Sequence, residues 1–197
     1  KTVSGSEETV RKLELLMKQA GITTEHRKVV AAANAKAEET GEPAASIELP
    51  DGRLIVGRTS PLLGASAAVL LNALKALGNI DDDIHLLSPL IIEPIQHLKI
   101  DHLGNQNPRL HTDEVLLALT ICAATNPTAE LAMQQLSRLQ NCQVHSSVIL
   151  SAVDQKTFKN LGMQLTMEPV YQFKKLFHKK SMIYLFTFFQ HYAVSKV

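Results

Sequence analysis

The sequence predicts an α/β fold, a three-layer α/β/α sandwich preceded by a helical hairpin, on three observations. Apolar residues alternate on either side of Pro50-Asp51-Gly52. Pro presets φ, Asp bonds its own backbone and Gly accepts positive φ, so this segment predicts a tight β-hairpin. Residues 62–74 then carry no charge, and only Ser66 and Asn72 have polar side chains. A helix apolar on every side must be covered on more than one side, and this one is too short to cross a bilayer. Beyond it, short apolar runs alternate with helical patterns, as strands do when helices connect them.

Each element has its own signals. Ser4 and Glu7 have capping-box spacing, and Val10, Leu13, Leu16 and Met17 recur at helical spacing up to Gly21. Thr23 or Thr24 is expected to cap a second helix from Glu25 to about Thr40, stopped by Gly41-Glu42-Pro43. These two helices form a hairpin over residues 1–42, which is expected to belong to a helical subdomain. The α/β subdomain is expected over 43–179. Ser60-Pro61 reads as the cap and first position of the apolar helix. Asp81-Asp82-Asp83 is a solvated turn, residues 84–87 a short buried strand, and Ser88-Pro89 the start of a helix reaching His102 and closed by Gly104. Thr112 caps the next helix, with Asp113 and Glu114 at its positive end. Asn126-Pro127 starts another. Residues 144–150 form a strand, Asp154 caps a short helix ended by Gly162, and residues 163–167 form the last strand.

Composition narrows the function classes. A net charge of +1 provides no basic face for nucleic acid, and five percent aromatics without Trp make no stacking platform. Cys122 and Cys142 make neither a disulfide framework nor a four-ligand zinc site. The expectation is a reduced, cytoplasmic protein with no membrane or nucleic-acid partner. The chain begins at Lys1, directly into a helix start, which suggests a piece of something longer. Residues 180–197 hold five of the nine aromatics and follow neither helical nor strand period. They read as an atypical tail, either a frameshift product or a real terminal element.

The candidate chemistry lies between residues 97 and 114. His97 and Asp101, four apart, share a helix face, whereas His102 points elsewhere, so this is not the His-Glu-x-x-His arrangement of zinc proteases. Arg109, His111, Asp113 and Glu114 gather at a predicted helix N-terminus, a place that favours anions. The first reading of these residues is caps and surface histidines; the second is the edge of a ligand or active site. His97, Asp101, Arg109, His111, Asp113 and Glu114 are the candidate ligand-binding residues. No catalytic residue is assigned and no metal is expected. His145 and Ser147 share one strand face, but no Gly-x-Ser-x-Gly or phosphate-loop motif occurs. Cys122 reads as a packed thiol, and Cys142 as one that is exposed or packed.

Three stretches carry a resemblance: IELPDGRLIVGRTSPLLGASAAVLLNALKAL, HLLSPLIIEPIQHLKIDHLGNQNPRLHTDEVLLAL and CQVHSSVILSAVD. They resemble the C-terminal part of a bacterial family, domain of unknown function 1846 (uncharacterised protein family 0371), from Lys1 to about Lys179. The resemblance implies a longer parent whose N-terminal part is similar to a P-loop nucleotide-binding domain. It also implies a cytidine-deaminase-like layout of hairpin, helix, strand, helix, strand. Deaminases hold zinc by His-x-Glu or Cys-x-Glu at one helix start and Pro-Cys-x-x-Cys at the next. Here those starts are expected at Leu63-Gly64-Ala65-Ser66 and Pro89-Leu90-Ile91-Ile92-Glu93, which carry no such ligands.

The expected function is therefore a structural and ligand-binding subdomain of a larger cytoplasmic, nucleotide-dependent enzyme. Its partner is the parent's N-terminal domain, and it has no cofactor of its own. The alternative is a non-catalytic oligomerisation or partner-binding module, motivated by the apolar helix and the aromatic tail. A zinc enzyme is a third, weaker reading.

Overall fold

Pro50, Asp51 and Gly52 turn the chain as their chemistry predicts. The computed structural model describes residues 7–23 and 26–171. Strands β1 (Ala44–Glu48) and β2 (Leu54–Arg58) pair antiparallel across the turn. Gly52 takes φ +82°, its N–H donates to Leu49 O at 2.9 Å, and Asp51 Oδ1 accepts the Arg53 N–H at 3.0 Å. The other strands are β3 (Gln143–Ser146) and β4 (Gln164–Met167). Sheet order is β2-β1-β3-β4, with β1 and β3 antiparallel and β3 and β4 parallel. The fold is α/β.

Strand β1 is central and buried on both faces. Ala45 and Ile47 join the main core, with Val144 opposite Ile47. Ala44 and Ser46 alternate to the other face. There helix α2 (Lys28–Thr40) lies on β1, β2 and β3, burying Val29 and Ala33. Polar links fasten it: Arg27 donates to Gln164 O at 2.9 Å and Asn34 to Glu168 Oε1 at 3.1 Å. His145 is buried nearby, its Nδ1 2.8 Å from Thr166 Oγ1, and burial lowers its pKa. Helix α1 (Glu7–Ala20) precedes α2 and ends at Gly21, which takes φ +65°; its Leu15 and Leu16 are exposed.

The apolar helix is α3 (Ala65–Leu77), and it fills the main core with Val69, Leu70 and Leu74 fully buried. It lies directly on β2 at Gly57. A Cβ there would lie 2.3 Å from the Val69 backbone nitrogen and 2.6 Å from its Cα. Helix α5 (Thr112–Ala123), helix α6 (Pro127–Met133) and helix α7 (Ala152–Asn160) complete that side, burying Leu119, Ala132 and Phe158 in the same cluster. Helix α4 (Pro89–His97) runs into one π turn, in which Leu103 N–H reaches Leu98 O at 3.0 Å, before Gly104 turns the chain.

Several boundaries differ from the sequence reading. Helix α3 starts at Ala65, not Pro61. The Ser60 hydroxyl accepts the Leu62 and Leu63 N–H groups, and Leu63 is drawn into a bridge with Leu110. Residues 84–87 are not a strand: Leu86 and Leu87 plug the core from a loop and, among the described residues, pair with no strand of the sheet. Strand β3 stops at Ser146: the Ser147 N–H still donates to Ala44 O at 2.9 Å, but the Ala44 N–H goes to the Ser147 hydroxyl at 3.0 Å rather than to its carbonyl, so the ladder ends there. Helix α2 starts at Lys28, with Arg27 at its cap position and no side-chain cap. Ser4 and Thr24, offered as caps, and the 180–197 tail lie outside the described residues.

The Gly57 contact yields a prediction. Gly57→Ala forces α3 away from β2 and is expected to destabilise the chain by about 2 kcal/mol, the scale of core overpacking. In a thermal melt that is a loss of roughly 4–8 °C for a chain this long. An unchanged melting temperature would show that α3 shifts at no cost.

Candidate functional site

The segment from Arg109 to His111 is held from three sides. Leu110 N–H donates to Leu62 O at 3.0 Å, and Gly64 N–H donates to Leu110 O at 3.2 Å, tying it to the start of α3. Lys99, 3% exposed, donates to Arg109 O at 2.6 Å and to Glu114 Oε2 at 2.7 Å. Glu114 Oε2 also accepts the His111 N–H at 2.8 Å. A buried lysine is thus paired and hydrogen-bonded, the condition under which such burial is tolerated.

From the other side comes Asp154 of α7, 4% exposed. Its Oδ1 accepts the Thr112 N–H at 2.9 Å and the Thr112 hydroxyl at 3.0 Å. Its Oδ2 accepts from His111 Nδ1 at 3.0 Å and from the Ser151 hydroxyl at 2.7 Å. One carboxylate therefore serves the N-terminus of α5 and an imidazole, while sitting in the first turn of its own helix. Burial pushes the Asp154 pKa up, but hydrogen bonds from His111, Thr112 and Ser151 outweigh it and bring the value down to about 2. The hydrogen bond to Asp154 raises the His111 pKa against the opposing effect of burial.

These groups border a cavity of about 140 Å³. Its wall includes Thr59, Ser66, Arg109, His111, Ser151 and Asp154. The N-termini of α3, α5 and α7 meet there, just past the ends of β2 and β3. In open α/β sheets, ligands sit at the carboxyl ends of the parallel strands, which is where β3 feeds into α7.

Of the six sequence candidates, the structure brings Arg109 and His111 to the cavity wall. Glu114 lies behind them, accepting the His111 N–H directly and pairing with Lys99, which donates to Arg109 O. Asp113 is an exposed cap whose Oδ1 accepts the Glu114 N–H at 2.8 Å. His97 and Asp101 pair at 3.0 Å on an open helix surface and do not line the cavity. Two caps are corrected. His111 rather than Thr112 is the cap residue of α5, and Ser151 rather than Asp154 caps α7. Residues 84–87, the strand expected before a deaminase-type second helix start at 89–93, are not a strand.

Sequence reasoning missed Lys99, Ser151 and Asp154 as parts of this site. The Ser-x-x-Asp spacing at 151–154 was the available signal for two of them. Nothing in spacing pairs Lys99 with Glu114. Cys142 is buried, and burial raises the pKa of both thiols. Among the described residues, no group of three His, Cys, Asp or Glu side chains is placed to hold a metal ion, and no helix is long and apolar enough to cross a membrane.

These features define an α/β domain with a preformed polar cavity at one edge of its sheet. The family model for the C-terminal domain of unknown function DUF1846 matches residues 25–177, and the chain belongs to that family. It is 56% identical over 169 residues to a UPF0371 protein of Corynebacterium urealyticum, covering 86% of this chain and 34% of that protein. It is 50% identical over 173 residues to a UPF0371 protein of Streptococcus thermophilus, covering 88% and 35%. A UPF0371 protein of Streptococcus pyogenes is 47% identical over 174 residues, covering 88% and 35%. The chain spans about a third of the length of these relatives.

The His111–Asp154 pair predicts a pH profile. Asp154, lowered from 3.8 to about 2, contributes stability above about pH 4 and loses it as pH falls toward 2. The raised His111 contributes fully below 6.5 and loses its share as pH rises through its raised pKa. The pair is therefore strongest between these limits, and the Asp154 shift corresponds to about 2 kcal/mol. Asp154→Asn is expected to cost about 3 kcal/mol and to flatten this profile in melts taken across the range. A variant that melts with the wild-type profile would show that the pair contributes nothing.

Proposed function

We propose that this chain is the ligand-binding C-terminal subdomain of a larger cytoplasmic enzyme, one that uses a nucleotide held by its N-terminal domain. The observation that carries the reading is the meeting of Arg109 and His111 with three helix N-termini at one cavity. Such a cavity is concave, pre-formed and lined by a few convergent polar groups, as ligand sites are. The nucleotide and the N-terminal domain rest on the resemblance to longer family members, and the cytoplasmic setting on two unpaired cysteines. The reading includes a cytidine-deaminase-like layout, supported by the order β1–β2, α3, β3, α7, β4 with helices α4 to α6 inserted between α3 and β3. No cofactor is assigned to this chain.

The test is ATP binding and turnover by the full-length parent. Arg109→Ala and His111→Ala are each expected to lower kcat/KM roughly tenfold, about the value of one charged hydrogen bond. His111→Ala also removes a partner of Asp154, so Arg109→Ala, checked by its melting curve, is the cleaner variant. Wild-type kinetics in both variants would remove the reading.

A second reading, a non-catalytic oligomerisation module, is favoured by one observation. Leu117 and Ile121, one turn apart on α5, are 66% and 74% exposed. Helix α3 itself is buried and presents no such face. On this reading light scattering gives a dimer or larger, and Leu117→Glu with Ile121→Glu gives a monomer. A monomeric unsubstituted chain would rule it out.

A further inference from the structure

The first turn of α3 has backbone donors with no acceptor. Its N-cap is Gly64, which has no side chain to cap with. Gly64 N–H is taken by Leu110 O, and the first intrahelical bond is Ala68 N–H to Gly64 O at 2.9 Å. The N–H groups of Ala65, Ser66 and Ala67 therefore have no protein acceptor among the described residues. All three residues are buried. The neighbouring helices differ: Asp154 and Asp113 serve α5, Asn126 serves α6 and Ser151 serves α7.

Two side chains point to a ligand independently of that helix end. Thr59 and Ser66 are each 2% exposed, and both line the cavity. Among the described residues neither hydroxyl has a protein hydrogen-bond partner, and neither oxygen is sealed away from the cavity space. Buried polar groups are nearly always paired, so these two hydroxyls and three amides form an unfilled set of donors. Arg109 places a positive charge on the same wall while its Nε donates to Ser60 O at 2.8 Å. Two acids bear on this wall: Asp154, whose oxygens are already engaged by His111, Thr112 and Ser151, and Glu42, whose charge acts on Arg109. A volume of about 140 Å³ admits a phosphate group, being about that of four or five liquid waters.

We infer that this cavity is a subsite for a phosphate monoester, whose phosphate oxygens accept from the amides of Ala65, Ser66 and Ala67 and from the hydroxyls of Thr59 and Ser66, with Arg109 balancing the charge. Helix N-termini bind phosphate in this way when amides and a cation converge. The inference rests on the ligand-binding reading above and gives that ligand its chemical class.

The test is an NMR titration of the isotope-labelled chain with inorganic phosphate, AMP and adenosine. Phosphate and AMP are expected to shift the amides of Ala65, Ser66 and Ala67 saturably, and adenosine is not. Thr59→Val and Ser66→Ala, each confirmed folded by its melting curve, should weaken AMP binding roughly fivefold apiece, as loss of one hydrogen bond does. Saturation by phosphate but not AMP would overturn the ester and leave a free oxyanion site. A response to adenosine alone would overturn the phosphate assignment while leaving the ligand-binding reading in place. Silence with all three, or shifts that neither variant weakens, would overturn the inference outright, and the Arg109→Ala kinetics would then judge the broader reading.

Discussion

Helix α3 can sit where it does because β2 has no side chain at Gly57. Any Cβ there would overlap the backbone at Val69, so the helix lies against the strand itself rather than on a layer of side chains. That closeness lets a helix of small and aliphatic residues fill the space between the sheet and helices α5 to α7. Burial of Val69, Leu70 and Leu74 then supplies the main apolar contribution, each worth about 1.5–3 kcal/mol against exposure. It also fixes the height of the helix start. Gly64 arrives level with the sheet end, where Leu110 donates to Leu62 O and accepts the Gly64 N–H, and the cavity opens beneath it.

The polar groups around that opening are arranged by the same constraint. With α3 pressed to the sheet, the 109–111 segment is trapped between it, Lys99 and Asp154. Two buried charges that would each be costly alone become tolerable because each is answered: Lys99 by Glu114, Asp154 by His111 and the α5 N-terminus. The two pairs meet at His111, whose backbone binds Glu114 and whose ring binds Asp154. His111 is thus held rigidly at the cavity wall, and the start of α3 is left as the uncapped end facing it.

Much of the site was legible in part. Arg109 and His111 were found because a polar run before an acidic helix start is a local pattern, readable without knowing the fold. His97 and Asp101 were grouped with them by nearness in sequence. They do share a helix face, but the π turn and Gly104 carry the chain away before it returns at Arg109. Asp154 was read as a cap of its own helix. Its larger part, bonding Thr112 and His111 across 42 and 43 residues, has no local signature.

The sequence by itself determined the elements whose causes are local. The Pro50-Asp51-Gly52 turn, the Gly21 and Gly41 helix ends and the need to bury residues 65–77 all follow from backbone preference and side-chain polarity over a few residues. Only the tertiary structure decided where α3 begins, that residues 84–87 form a core plug rather than a strand, and which polar groups meet at the cavity. In the first and last of these a partner distant in the chain outweighed a local preference: Leu110 drew Leu63 out of the helix, and Asp154 crossed to α5. Hydrogen bonds between distant segments are decided by which backbones the core brings together, and that depends on the closeness of α3 to Gly57.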